Sequence, residues 1–115
     1  MRVAGQVLID SDVDTFHDAT LYVYAEDAGM LDESAVPLGV ERIDHVSHRK
    51  GETSALPFVV DFTVKNLHSD TIVRAHISMS KTPEIRRGDW VTVQAFAVDM
   101  SSRHDNMLLQ LQKVT

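Results

Sequence analysis

Alternation of apolar and polar residues is the feature that most limits how this chain can fold. In the segment PFVVDFTVK, Phe58, Val60 and Phe62 share one face of an extended chain, while Asp61 and Thr63 share the other. Side chains of a β-strand point alternately to opposite faces, so this period of two predicts a strand with one buried side. We expect Phe58, Val60 and Phe62 in the core, with Asp61 and Thr63 facing solvent.

Similar alternation recurs along most of the chain, separated by connectors that carry Gly, Pro, Asn and Asp. The pattern occupies segments near 3–9, 20–26, 58–64, 73–79, 90–97 and 107–114, and a less regular apolar segment lies near 40–46. It predicts about seven strands, mostly antiparallel because most connectors are too short for crossover helices. With 115 residues, the size of one domain, the sequence predicts an all-β, single-domain antiparallel β-sandwich of Ig-like type over residues 1–115.

The segment GVERIDHVSH departs from the regular pattern. Its apolar residues Val40, Ile43 and Val46 are three apart, which suits a helix face or a strand containing a bulge. The short length and β-branched residues favour the bulged strand. On a regular strand His45 and His48 would face opposite sides and could not share a metal, although a bulge could restore a common face. We expect both histidines to be exposed polar positions on a half-solvated strand.

Composition excludes several classes of function. The formal net charge of −6 argues against binding nucleic acid through phosphates and against docking on an anionic membrane. The absence of cysteine excludes disulfides and thiolate chemistry. No apolar run approaches the roughly 20 residues of a membrane span. We expect the cell envelope or periplasm if a leader was removed, and the cytoplasm if Met1 is the native start.

The acidic stretch DSDVD invites comparison with a calcium loop. Asp10, Asp12 and Asp14 alternate as such a loop requires, but the sixth position is Thr15 and the twelfth is Leu21. A calcium loop of EF-hand type needs Gly and Glu there. We therefore expect a solvated turn rather than a metal site.

Two other connectors would lie beside the acidic stretch if connectors alternate between the ends of the fold. These loops, near 49–56 and 80–89, carry cations as well as acids. The cations would offset the acidic charge rather than help to hold a dication. We expect neither metal nor cofactor, and a calcium-dependent surface protein ranks third among the candidate functions.

Catalytic patterns are weak. Ser101, Ser102, His104 and Asp105 crowd one hairpin, whereas a catalytic triad is assembled from distant segments. No phosphate-binding or cofactor fingerprint is found, so the sequence predicts no enzyme. The tripeptide Arg87–Asp89 could be an adhesion ligand, but Gly-Asp before a strand is ordinary turn chemistry, which we favour.

Aromatic residues supply the candidate binding surface. Tyr22 and Tyr24 share the strand face opposite Leu21 and Val23. In the segment at 90–97, Trp90 and Phe96 share the face opposite Val91 and Val93. Such aromatics could bind an extended peptide or a sugar. They could equally pack under the 27–38 connector, form a dimer interface, or lie on different sheets.

The order of short motifs resembles the YbaY family of bacterial envelope lipoproteins, which is grouped with the lipoprotein chaperones, or pilotins, of type III secretion. The matching residues are Gly5, Val7, Ala19, Leu21, Val23, Asp27, Val36-Pro37, Val46-Ser47, Leu56-Pro57-Phe58, Val73 to Ile77, Gly88-Asp89-Trp90 and Thr92 to Ala95. The resemblance implies a pilotin-like fold and a protein partner. This sequence shows neither the lipid-attached cysteine nor the signal peptide of the family. Its segment SKTPEIRR stands where the family has an Asp/Gly-rich loop.

These observations together predict a non-catalytic binding module with a chaperone-like or scaffolding role. Its partner would be a protein, recognised through a sheet edge or through Tyr22, Tyr24, Trp90 and Phe96. Carbohydrate binding by the same aromatic residues is the alternative. The sequence leaves the oligomeric state open.

Overall fold

The computed structural model describes residues 1–27, 36–63, 71–92, 96–98 and 104–115, and it is all-β over these ranges. The strands are β1 (Arg2–Ile9), β2 (Phe16–Asp27), β3 (Val36–His48), β4 (Ser54–Asp61), β5 (Thr71–Ser78), β6 (Trp90–Thr92), β7 (Phe96–Val98) and β8 (His104–Lys113). None of the described segments is a helix long and apolar enough to cross a membrane.

The strand count is one higher than predicted because the alternating segment at 90–97 is described as two short strands. β6 and β7 flank residues 93–95, and the predicted faces of Val93 and Ala95 lie outside the described residues. Both short strands pair with β5, β6 near His76 and β7 near Val73.

The strands follow one continuous hydrogen-bonded path, β3-β2-β5-β6-β8-β1-β4, with β7 paired to β5. The two-sheet sandwich is therefore corrected to a single, nearly closed sheet. The physical reason lies in β8, whose Leu111–Lys113 end pairs with β6, while its His104–Gln110 stretch pairs with β1. One long strand thus joins the two halves. The β1–β8 pair is parallel, and the other pairs are antiparallel.

The two ends of this path, β3 and β4, face each other. An added Cβ at Gly39 would lie 2.5 Å from the carbonyl oxygen of Asp61, so a side chain there would push the strands apart. Further along, Glu41 Oε2 accepts a hydrogen bond from the Val59 backbone N–H at 2.6 Å. We call this line of contact, defined by Gly39, Glu41, Val59 and Asp61, the β3–β4 seam.

The segment predicted as a bulged strand is one. Along β2 and β3, Ala19 pairs with Val46 and Leu21 with Ile43, so two residues of β3 oppose Thr20 alone. One of these, His45, has a positive φ of 60°, the local kink that accommodates the extra residue.

The core forms as the alternation predicts. Phe58, Val60 and Phe62 are buried, and Asp61 and Thr63 are exposed. Leu109 of β8 is also fully buried. These inward residues join the apolar faces of β1, β2 and β5 in one cluster.

Strands β2 and β5 are buried on both faces, which simple alternation does not predict. Thr20 and Tyr22 lie on the face of β2 opposite Leu21, yet both are buried. On β5, His76 and Ser78 are buried opposite Ile77. Residues 79–89 contact this outer face, as the hydrogen bond from the Tyr22 hydroxyl to the Lys81 carbonyl oxygen at 3.4 Å shows.

Candidate functional site

The central position of β2 between β3 and β5 brings aromatic and cationic side chains together on the outer face of the sheet. Tyr22 pairs across strands with Arg42 of β3 and with His76 of β5. Tyr24, two residues along on the same face, is opposite Arg74 of β5. We call these five residues the aromatic face.

Tyr22 is the structural centre of the aromatic face rather than an accessible ring. It is only 6% exposed, and its ring stacks on those of Tyr24 and His76, both with centroids 6.0 Å away. The Arg42 guanidinium lies 5.9 Å from the Tyr22 centroid. A sugar cannot stack on a ring buried to this extent, so the geometry does not favour the carbohydrate alternative at Tyr22.

Tyr24 is half-buried and is held beside a fixed cation. The Arg74 guanidinium carbon lies 4.2 Å from the Tyr24 ring centroid, within cation–π range. Arg74 also forms an ion pair with Glu26, which is buried. Burial raises the pKa of the Tyr24 hydroxyl, and the positive charge of Arg74 offsets part of that rise. The pair presents an ordered aromatic and guanidinium surface suited to protein contacts.

Trp90 lies on the opposite side of the sheet from Tyr22 and Tyr24. It pairs with Ile77, an inward-facing core residue, and packs against the core. The predicted assignment of Trp90 to the face opposite the core is therefore wrong by one residue. Phe96 pairs with Val73 along β7, and its side chain lies outside the described part of the structure. The structure thus brings Tyr22 and Tyr24 together but separates them from Trp90.

A small cavity lies on the Trp90 side of the fold, among the described residues. It has a volume of about 20 Å³ and is lined in part by Val13, Phe16, Trp90 and Leu111. That is room for about one water molecule. The cavity is too small for a ligand, and its lining residues serve packing.

His76 of the aromatic face forms a buried pair with Asp89, which was not predicted from sequence. His76 Nε2 lies 2.8 Å from Asp89 Oδ2, and both side chains are essentially inaccessible. Asp89 Oδ1 accepts the Met79 N–H and Oδ2 accepts the Arg86 N–H, each at 3.0 Å. Burial alone would raise the pKa of Asp89, but the hydrogen bonds from His76, Met79 and Arg86 outweigh it and hold this pKa below its usual value.

This pair settles the Arg87–Asp89 tripeptide in favour of a turn. The Asp89 side chain is buried, so its carboxylate is not available to a receptor. Gly88 has a φ of 91°, a left-handed conformation that favours glycine, directly before β6. The only advance signal was Gly-Asp ahead of an alternating segment, which does not reveal that the acid turns inward.

The acidic stretch forms an exposed turn tied to the loop after β3. Asp10, Asp12 and Asp14 are exposed, and Lys50 Nζ lies 3.4 Å from Asp14 Oδ1. Gly51 N–H donates to the Ser11 carbonyl oxygen at 2.7 Å. Lys81 of the 80–89 loop also pairs with Asp18, so the three loops predicted to lie together do so, with Lys50 and Lys81 beside Asp14 and Asp18. No cluster of three or more His, Asp or Glu side chains able to hold a metal occurs within the described ranges.

The histidines of β3 do not act together. His45 is exposed, and its Nδ1 lies 2.7 Å from Asp18 Oδ1. His48 is buried, where its Nδ1 contacts Ser54 Oγ at 2.7 Å. The expectation of an exposed residue therefore holds for His45 and is wrong for His48. The prediction that Ser101 and Ser102 are not catalytic falls outside the described residues.

Comparison with known proteins identifies the fold. No family model and no curated protein sequence matches the chain. A solved structure, an alternative pilotin from the type II secretion system of Vibrio cholerae, superposes with a TM-score of 0.69. The match covers 97% of this chain and 96% of that chain at 18% sequence identity. The chain therefore has a pilotin-like all-β fold.

Proposed function

We propose that this chain is a non-catalytic, pilotin-like module that binds a protein partner in a chaperone-like role. The observation that carries the proposal is the full-length agreement with a pilotin structure, 97% of one chain against 96% of the other. A match of this extent spans nearly the whole of both chains rather than a shared fragment. The YbaY-like order of motifs supports a setting in the bacterial envelope.

The aromatic face is the proposed contact surface. Tyr24 is half-buried beside Val40, its partner across β2 and β3, and Val40 is 56% exposed. Exposed apolar and aromatic groups flanked by arginines are typical of protein interfaces. Tyr22 supports this surface from within the sheet, and Trp90 supports it only through the core. The contribution of Phe96 stays a prediction.

Binding to secretion-system subunits tests the proposal. The chain would be immobilised. Purified soluble domains of type II secretion subunits from the organism that encodes this chain would then be measured one at a time by interferometry. We expect one subunit to bind saturably, and Tyr24→Ala to weaken its Kd at least tenfold without changing the far-UV spectrum. Leu108→Ala, at an exposed residue on the other half of the sheet, is the matched control.

The outcome against the proposal is equally definite. If no subunit binds the immobilised chain better than it binds a surface carrying an unrelated β-protein, the pilotin-like role is wrong. If a subunit binds but Tyr24→Ala and Leu108→Ala behave alike, the role stands and the contact surface is misplaced.

A further inference from the structure

The β3–β4 seam is held differently from every other strand boundary of the described sheet. β3 has a strand neighbour only in β2, and β4 only in β1, within the described ranges. Between them the described contact near the middle is a side chain, Glu41 Oε2, on the Val59 N–H at 2.6 Å. A carboxylate occupies the position at which a backbone carbonyl of a neighbouring strand would accept.

The backbone hydrogen bonds of β4 show which of its backbone groups face the seam. Met1 and Phe62 exchange hydrogen bonds between their backbone groups, N to O at 2.7 Å and 2.9 Å. Backbone groups alternate in direction along a strand, so Phe58 and Val60 also face β1, while Val59 faces the seam. Pro57 has no N–H and lies on the seam side, as expected for proline at a sheet edge. Val59 is thus an edge donor.

Charge also marks the seam. Glu41 pairs with Val23 across the strands and so lies on the inward-facing side of β3. Its carboxylate is partly buried and forms no ion pair within the described ranges. The nearby acids Asp44 and Asp61 already pair with Arg42 and Arg2, respectively. Among the described residues, the carboxylate of Glu41 therefore has a backbone partner but no cation.

Apolar side chains flank the seam on its outer side. Val40, next to Glu41, is 56% exposed, and Val59 is 44% exposed. They are two of the five large apolar residues that stand exposed in the described chain, and they lie on the two strands that border the seam. An extended segment placed between β3 and β4 would cover both.

We propose that the β3–β4 seam captures an extended segment of a partner polypeptide as an added strand. A backbone carbonyl of the segment replaces Glu41 on the Val59 N–H. A lysine or arginine side chain, pointing inward, pairs with the released Glu41 carboxylate. The residues on either side of it point outward and cover Val40 and Val59. The recognised pattern is apolar–basic–apolar. This deepens the proposed function and rests on it for the identity of the natural partner.

A displayed library of random twelve-residue peptides tests the proposal directly. The chain has no cysteine, so the variant with Val40→Cys and Val59→Cys carries a unique pair that a short bismaleimide can bridge across the seam. The two single variants, each capped with N-ethylmaleimide, are the matched controls, and thermal melts confirm that all forms fold. Peptides enriched on the native chain would be synthesised and their Kd values measured by fluorescence anisotropy.

We expect enriched peptides to share the apolar–basic–apolar pattern and to bind the bridged form at least tenfold more weakly than either capped control. Hydrogen exchange should slow at the Val59 amide on binding. A charge exchange gives the sharpest result. Glu41→Lys should weaken a selected peptide at least tenfold, and replacing the basic residue of that peptide by glutamate should restore binding.

Three results would overturn the seam proposal: no enrichment over an empty surface, equal binding to the bridged and capped forms, or failure of the charge exchange to restore binding. A subunit that binds the chain with unchanged Kd after bridging would leave the pilotin-like role intact and remove only the seam. Peptides that obey the pattern, with no subunit bound, would uphold the seam as a peptide site and remove the secretion role.

Discussion

Replacing Asp89 by asparagine removes one acceptor from a buried set of three hydrogen bonds. Oδ1 accepts from Met79, and Oδ2 accepts from both Arg86 and His76. Asparagine has one oxygen and one NH₂ group, so either orientation sets a donor against a backbone N–H. The change keeps the size of the side chain and isolates this effect.

The expected cost follows from the burial of the site. An orphaned buried donor costs about 1–3 kcal/mol, and a hydrogen bond to a charged group contributes about 1.5–3 kcal/mol. Because the variant loses a hydrogen bond to a charged group and leaves a buried donor unpaired, we expect Asp89→Asn to lower the free energy of unfolding by about 3–5 kcal/mol. That is a large share of the roughly 5–15 kcal/mol typical of a domain.

Urea unfolding followed by the fluorescence of Trp90, the single tryptophan, measures this loss, with far-UV circular dichroism as the second probe. Asp61→Asn is the control, since Asp61 forms an exposed pair with Arg2. We expect that control to leave the transition midpoint unchanged. An Asp89→Asn midpoint equal to that of the wild type would refute the argument that the three hydrogen bonds are essential.

The pH dependence has a definite sign. The folded-state pKa of Asp89 lies below its unfolded value, so the ionised side chain stabilises the fold above that unfolded value, near 3.9. The contribution is lost as the pH falls through the folded-state pKa. The stability gap between wild type and Asp89→Asn should therefore be complete at neutral pH and shrink below about pH 4. A gap that stays constant in acid would contradict the ionised-carboxylate explanation.

Three further outcomes test the fold and its turns. Phe62→Ala should lower the free energy of unfolding by about 3–5 kcal/mol in urea, whereas Val59→Ala, on the exposed face, should change it little. Gly39→Ala should cost about 1–3 kcal/mol by the same assay, because its Cβ would press on the main chain of β4, and an unchanged stability would show that the seam does not close there. Millimolar calcium should leave the melting temperature unchanged against chelator; a rise of several degrees that Asp12→Asn with Asp14→Asn abolishes would establish a calcium site.

The sequence predicts those parts of the fold in which one face of a strand meets water. At the end of β4, Asp61 is charged and Phe62 is apolar, and alternation assigned both faces correctly. The bulge of β3 was also predictable, because Val40, Ile43 and Val46 break the period of two without leaving β-forming residues. Local composition is sufficient in both cases.

The residues that alternation could not place lie where both faces of a strand are covered or where both sets of side chains are apolar. In WVTVQAFAV either set could face the core, and the pairing of Trp90 with Ile77 decides the matter through register. His76 has the polarity of a solvent-facing residue, yet Asp89 lets it be buried by supplying a carboxylate thirteen residues away. Such pairings depend on tertiary register and are not encoded in any short segment.

The distribution of stabilising contacts also explains why strand addition is proposed at the ends of the strand path. β2 and β5 are paired on both edges and buried on both faces, so displacing either would break at least two ladders and uncover the core. Opening the β3–β4 seam leaves the β2–β3 and β1–β4 ladders in place. It gives up the Glu41–Val59 hydrogen bond, a charge-assisted contact of about 1.5–3 kcal/mol, and the close approach of Gly39 to Val60 and Phe62. An incoming strand replaces the hydrogen bond with one from its own backbone and must also cover these two core residues, while the rest of the sheet stays fixed.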